Sequence, residues 1–242
     1  VTRIFLDLII SINDEYKLTS QQENHLLNVL RYNNDDEVEV VCTKGNLYIG
    51  QLVIEQGASR IRINKQIDKT NEPYAQITIF QGIPKKDKFE QIIKMGTEIG
   101  AVSFVPVAMD RSVAKIKNDK VDKLLERWGK IALAAAKQSK RNYVPSVRDP
   151  ISFDQLIGKV NDYDMVICFY ENENQVTLNN LDFSKARNIA IIVGPEGGIS
   201  DKEIERAKEE NIIFSSLGKR ILRTETAGVT ALSIILYLTG DI

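Results

Sequence analysis

Histidine and cysteine are nearly absent from this chain, and each shortage removes a chemistry. Among 242 residues there is one His, His25, and two Cys, Cys42 and Cys168. They are scattered, with no CxxC or Cys/His spacing, so no metal site is expected. Two unclustered thiols fit a reducing cytosol, and a cytoplasmic location is the expectation. An excess of charge is also lacking. Lys and Arg number 32 against 33 Asp and Glu, a net charge of −1, so no global field draws the protein to nucleic acid and any basic surface is local. No apolar run is long enough to span a bilayer and no signal peptide opens the chain, so no membrane association is expected. The chain begins at Val1 without Met, which reads as a processed or incompletely represented N-terminus.

What is present is an ordinary globular composition, 43% hydrophobic and 27% charged, in a length that suits one large domain or two smaller ones. The first 70 or so residues read as a small β-barrel. Segments 38–42, 47–54 and 59–67 cluster β-branched residues, with turn signals at Asn33–Asp36, Lys44-Gly45-Asn46 and Gln56-Gly57. Thr19 and Gln22 form a capping box that starts a helix carrying Leu26, Leu27, Val29 and Leu30. The polar stretch Asp68–Pro73 is the candidate linker. From Tyr74 onward strands alternate with helices. Strands are expected at 75–81, 103–107, 164–170, 188–193 and 212–217, and helices at 87–100, 117–141, after Ser200, and at 226–239, with Thr226 as a candidate N-cap. Such alternation implies an α/β domain with a mostly parallel sheet covered on both faces.

Two stretches near the C-terminus carry the chemistry. In Ile191–Ser200 an apolar strand runs into Gly194-Pro195-Glu196-Gly197-Gly198 and then a helix cap. In Leu217–Gly228 a glycine opens a loop with an Arg223-Thr224-Glu225-Thr226 centre, followed by an apolar helix. Bends of this kind at strand ends are where α/β proteins hold small ligands. Neither GxGxxG nor GxxxxGK followed by Ser or Thr is present, so dinucleotide and triphosphate loops do not fit. Adjacent glycines and a nearby carboxylate suit a flat, neutral or cationic ligand better than a polyphosphate.

Both loops, in this order, resemble the SPOUT superfamily of S-adenosylmethionine-dependent RNA methyltransferases, and more narrowly the 16S ribosomal RNA uridine-N3 methyltransferase family, RsmE. The likeness extends upstream. His25–Arg31 is similar to the family's HHLxxVLR, with Asn24 in place of the first His. Ile83–Glu90 with Lys94 and Thr97–Gly100 is similar to PKGDRME…K…TELG, with Lys86 for Gly and Ile99 for Leu. Asp110–Val113 resembles ERSV. Gln138–Arg141 with Val144-Pro145 resembles EQSGR…VP, with Lys140 for Gly. The resemblance implies an N-terminal PUA-like, RNA-binding β-barrel over 1–70 and a SPOUT α/β domain over 74–242 with a C-terminal trefoil knot. It also implies a homodimer, S-adenosylmethionine as cofactor, and 16S rRNA or the assembled small ribosomal subunit as partner. The activity implied is methylation of one uridine at N3. A different RNA target (a ribose 2′-hydroxyl or a tRNA base) and a non-catalytic ribosome-assembly factor are the rival readings.

On that resemblance the cofactor-binding candidates are Val193, Gly194, Glu196, Gly197, Gly198, Leu217, Gly218, Ile221, Leu222, Thr224 and Ala227. N3 of uracil is weakly acidic, so its proton must leave or its anion must be stabilised by cations. Arg223, Arg111 and Arg141 are the candidates for charge stabilisation, and Glu225 or Glu196 for accepting the proton. The sequence alone assigns no base. His25 lies in the barrel's helix and reads as a surface or RNA-contacting residue. RNA-binding candidates are Arg3, Arg31, Lys85, Lys86 and Lys88, together with Lys123, Arg127 and Lys130 from a stripe with 3/4 spacing that continues to Lys120, Lys137 and Arg141. Arg60 and Arg62 add to the barrel's charge.

Overall fold

The computed structural model describes residues 1–55, 58–171 and 176–242, and the Gln56-Gly57 turn signal lies outside them. The chain divides into two compact units, 1–72 with 136–143, and 73–135 with 144–242. The sequence reading had assigned 136–143 to the second domain.

In the first unit, five strands form one sheet: β1 (Arg3–Leu6), β2 (Glu15–Lys17), β3 (Glu37–Cys42), β4 (Leu47–Glu55) and β5 (Ala58–Ile67). Their order is β1-β3-β4-β5-β2, parallel between β1 and β3 and antiparallel elsewhere. The register shifts at Ile49/Gly50, where a side chain on Gly50 would meet Ile61 Cγ2 at 2.5 Å. Alternation along the strands sends Ile4, Leu6, Val38, Val40, Leu52, Ile61 and Ile63 into one core. Helix α1 (Ser20–Asn24) starts on the Thr19/Gln22 capping box, and a widened turn, His25–Val29, follows it. His25 is exposed there and Leu26 is fully buried.

The second unit holds a parallel sheet. Its strands are β6 (Gln76–Gly82), β7 (Ser103–Ala108), β8 (Ser146–Val147), β9 (Ile151–Ser152), β10 (Met165–Phe169), β11 (Asn188–Val193) and β12 (Ile213–Ser215). The order is β12-β10-β11-β6-β7-β8, with β9 also on β7. Period-two alternation splits the core cleanly. Ile77, Ile79, Ile167, Phe169, Ile189, Ile191 and Val193 face one side, against α2 (Lys88–Ile99), α3 (Val121–Gln138) and α6 (Thr224–Leu238). Phe80, Val105, Val107, Val166, Cys168, Ala190 and Ile192 face the other, against α4 (Phe153–Ile157) and α5 (Asp201–Lys208). Phe89 and Trp128 meet edge to face with centroids 4.7 Å apart, locking α2 to α3. Asp241 accepts the amides of Tyr74 and Ala75, tying the C-terminus to the start of β6. No helix among the described residues is long and apolar enough to cross a membrane.

Candidate active site

Strands β10, β11 and β12 all end at the same edge of the sheet, and each hands the chain to a loop there. A parallel sheet collects the carboxyl ends of its strands on one side, and the loops that leave them enclose ligand crevices. Here they enclose a cavity of about 400 Å³. Its walls come from Phe169–Glu171 after β10, Val193–Glu196 with Gly198 and Ile199 after β11, and 216–224 with Ala227 after β12, and Lys88 of α2 completes it.

Ten of the eleven cofactor candidates line this cavity: Val193, Gly194, Glu196, Gly198, Leu217, Gly218, Ile221, Leu222, Thr224 and Ala227. Gly197 is the exception. A β-carbon there would sit 3.0 Å from both Cβ and the carbonyl oxygen of Arg111, so Gly197 is the point at which the first loop closes on the Asp110–Val113 segment. Gly198 follows in the left-handed region at φ 73°, which glycine adopts without strain. Arg111 holds the same loop from its other end, donating to the carbonyls of Ile199 at 3.1 Å and Gly197 at 3.5 Å. These contacts give Arg111, expected among the catalytic candidates, a place behind the loop, and it is not among the residues that line the cavity.

The floor is a chain of hydrogen bonds that the sequence did not reveal. Gln81, fully buried at the end of β6, donates from Nε2 to Thr224 Oγ1 at 2.8 Å and to the Gly194 carbonyl at 3.2 Å. Thr224 Oγ1 in turn donates to the Gly194 carbonyl at 2.6 Å. This pull brings Thr224 into the first turn of α6, with Arg223 as N-cap, so Thr226 lies inside the helix and does not cap it.

Lys88 is the other unforeseen element. Its ammonium lies 3.1 Å from a Glu196 carboxylate oxygen and 3.1 Å from one of Glu225. Glu196 also accepts the Lys85 amide at 3.0 Å. Burial alone would raise the Glu196 pKa. Hydrogen bonds from its own amide, the Lys85 amide and the Lys88 ammonium outweigh that and hold it below the usual carboxylate range. Hydrogen bonds to Glu196, then Glu225, hold Lys88 above the usual lysine range. Lys88, expected as an RNA contact, has its charge engaged by these two carboxylates beside the cavity. Arg223 lines the cavity and is exposed, as are Lys219 and Arg220 beside it, and none of the three side chains makes a hydrogen bond or ion pair among the described residues. Ile221 is 84% exposed at the same rim.

Two other expectations change. Arg141 is 3% exposed and belongs to the first unit, where Glu72 accepts from its Nε at 2.9 Å and its Nη2 at 2.5 Å, so its charge is already met and it lines no part of the cavity. Arg3, also 3% exposed, pairs with Glu39 at 3.0 Å and donates to the carbonyls of Lys140 and Arg141, which removes it from the RNA-facing set. Arg31, Lys85 and Lys86 are exposed. On α3 the stripe is partly neutralised, since Arg127 pairs with Glu90 at 2.8 Å and Lys130 with Glu126 at 2.5 Å, and Lys123 stays open. Among the described residues no group of three or more His, Cys, Asp or Glu is arranged to hold a metal ion.

Comparison with known proteins agrees with this geometry. The RNA methyltransferase domain family matches residues 70–236. The ribosomal RNA small subunit methyltransferase E of Bacillus subtilis is 38% identical over 234 residues, covering 93% of this chain and 90% of its own. That of Mesomycoplasma hyopneumoniae is 32% identical, covering 89% and 91%. The crystal structure of the Neisseria gonorrhoeae ribosomal RNA small subunit methyltransferase E, bound to S-adenosyl methionine, superposes with a TM-score of 0.90 at 28% identity, over 98% of this chain and 97% of that one. With a domain match over most of its length and relatives that align nearly end to end, this chain belongs to the ribosomal RNA small subunit methyltransferase E family.

Proposed function

We propose that the protein methylates N3 of one uridine in 16S ribosomal RNA of the small subunit, with S-adenosylmethionine as methyl donor. The observation that carries this reading is the cavity built from both glycine loops at the ends of β10–β12, with cations on its rim whose side chains have no partner among the described residues. The residues present fit the cofactor. The volume is within the range that encloses a nucleoside-sized ligand. The apolar side chains of Phe169, Val193, Leu217, Leu222 and Ala227 offer surface to a flat ring, while the carboxylates of Glu171 and Glu196 offer counter-charge to a cation, Glu196 sharing its own with Lys88. When bound, S-adenosylmethionine supplies a methyl group on a positively charged sulfur.

The chain's own part is to hold the target base and handle its proton. Arg223, a cavity-wall cation with no side-chain partner among the described residues, is placed to balance negative charge that develops on uracil oxygens once N3 loses its proton. Glu196 and Glu225 share Lys88, and that shared ion pair gives both a holding role beside the cavity. Lys219, Arg220 and Arg223 give RNA phosphates a landing site beside the cavity. The first unit, read as a PUA-like barrel, contributes RNA affinity through exposed cations such as Arg31, and the C-terminal segment is read as knotted. A homodimer in the cytoplasm completes the proposal.

The test is transfer of labelled methyl from S-adenosylmethionine to small subunits from cells lacking this protein, followed by mapping of the modified nucleotide. N3-methyluridine at one site is the expected product. A methylated ribose, a tRNA product or no transfer overturns the assignment. Arg223→Met should lower kcat by about 10²–10³-fold with a smaller change in cofactor affinity.

A further inference from the structure

We propose that Lys88 is a positioning residue that sets the distance between the first glycine loop and the start of α6 by binding one carboxylate from each. The claim rests on the reading of this cavity as the cofactor site, and extends it to how the site is assembled. Glu196 belongs to the loop after β11 and Glu225 to the first turn of α6, directly behind the second loop, and 28 residues of chain separate them. Both come to the same ammonium at 3.1 Å. Two carboxylates on one side of a small cavity repel, so the segments that carry them separate unless a cation stands between them. Lys88 is anchored for this task. It opens helix α2, whose next residue, Phe89, is buried against Trp128, and the preceding Lys85 amide is itself bound to Glu196. The side chains of all three members are mostly shielded from solvent, with Glu225 only 13% exposed. The remaining charged groups on the cavity wall are Glu171, Lys219, Arg220 and Arg223, and none of them pairs with Glu196 or Glu225.

A cation that joins two segments differs in its consequences from one that meets RNA. Removing it takes away a hydrogen bond and a charge that help hold Glu196 below the usual carboxylate range, so Glu196 takes up a proton at a higher pH than in the parent, and cofactor binding becomes linked to protonation. Arginine in its place keeps the charge and can still reach both carboxylates.

The experiment compares the parent with Lys88→Met and Lys88→Arg. Calorimetric titration with S-adenosylmethionine is run in two buffers of different ionisation enthalpy, and amide hydrogen exchange is followed in the cofactor-free proteins. Lys88→Met should weaken cofactor binding by about tenfold or more and couple it to proton exchange at Glu196, and Lys88→Arg should restore most of the affinity. Faster exchange in both the 194–199 and 218–225 segments of Lys88→Met, without cofactor, is expected as well. Parental affinity with no proton linkage in Lys88→Met would overturn the proposal. So would loss of RNA affinity, with a shallower salt dependence and unchanged exchange in both loops, which would make Lys88 an RNA contact. If the parent itself fails to bind S-adenosylmethionine, the cofactor reading falls, and the exchange measurement still decides whether Lys88 joins the two segments.

Discussion

Gly82 lies directly beneath Pro195: a β-carbon on Gly82 would fall 2.5 Å from the proline Cδ and 2.6 Å from its nitrogen, with Met109 Sδ at 2.9 Å. The last residue of β6 therefore sets how deep the first glycine loop sits. Backbone and a proline ring cannot swing aside as a flexible side chain can, so the loop itself has to lift. Gly82→Ala should cost about 1–3 kcal/mol in urea unfolding and weaken S-adenosylmethionine binding in the same protein. Gly129→Ala is the control, because a β-carbon there meets nothing within 4 Å. Equal behaviour of the two variants would show that the contact does not govern the loop.

The contrast between these contacts and the sequence pattern explains what could be read in advance. The two glycine loops announce themselves because turn chemistry is local, and each strand that feeds them alternates cleanly. Gln81, Lys88 and the Phe169–Glu171 segment do not, since their roles arise from which strands become neighbours in a parallel sheet. One signal was available: Tyr170 and Glu171 follow directly on a fully apolar strand, at the edge where such sheets bind ligands. Strands β1, β2, β8 and β9 have two to four residues, too few for any period to show. Arg3 reads as a surface cation because composition does not show that three carbonyl or carboxylate partners await it inside the first unit.

Thr224 is where the two loops meet through neutral groups. Thr224→Val keeps the shape and removes the hydroxyl, taking one acceptor from the Gln81 amide and one donor from the Gly194 carbonyl, which still bond each other. Such a loss costs about 0.5–1.5 kcal/mol. Thr224→Ser retains the hydroxyl and should recover most of it. Denaturant unfolding of the three proteins measures this directly, and a valine variant as stable as the parent would exclude a structural role for the network.

Glu196 gives the cavity an acid limit. Its pKa is held down in the folded protein, so its contribution to stability is present above the unfolded value, about 4.3, and is lost as pH falls through the folded value. Unfolding free energy followed from pH 6 down to about 3 should fall more steeply for the parent than for Glu196→Gln in the acidic part of that window. Parallel curves would mean that Glu196 is not coupled to folding.

Lys86 and Lys140 stand where the resembled family has glycine, and both take up the left-handed backbone region that glycine favours, at φ 56° and 60°. A side chain in that region costs about 1–2 kcal/mol, whereas glycine gives up about 0.4–1 kcal/mol through the freer unfolded chain. Lys86 makes no side-chain hydrogen bond or ion pair among the described residues, so Lys86→Gly should be neutral or stabilise by about 1 kcal/mol. Lys140 pairs with Glu39 at 2.9 Å and donates to the Val1 carbonyl. Lys140→Gly should therefore give up the relief of strain and come out neutral or destabilised. Urea midpoints that rank the two variants in the opposite order would mean that backbone strain is not what separates them.

RNA affinity should distinguish the free cations from the paired ones. Lys219 and Arg220 have no partner among the described residues and flank the cavity, whereas Arg127 and Lys130 already face Glu90 and Glu126. Each phosphate contact on single-stranded RNA contributes about 0.7 to the slope of log affinity against log salt. Replacing Lys219 and Arg220 with Ala should reduce that slope by about 1.4, if both meet phosphate. Replacing Lys123, Arg127 and Lys130 together removes three cations but frees two carboxylates, so the slope should fall by about 0.7, the share of Lys123 alone. Fluorescence titrations of a small-subunit RNA fragment over a range of salt measure both. A drop near 2 for the α3 variant with none for the loop variant would move the RNA track from the cavity rim to the helix.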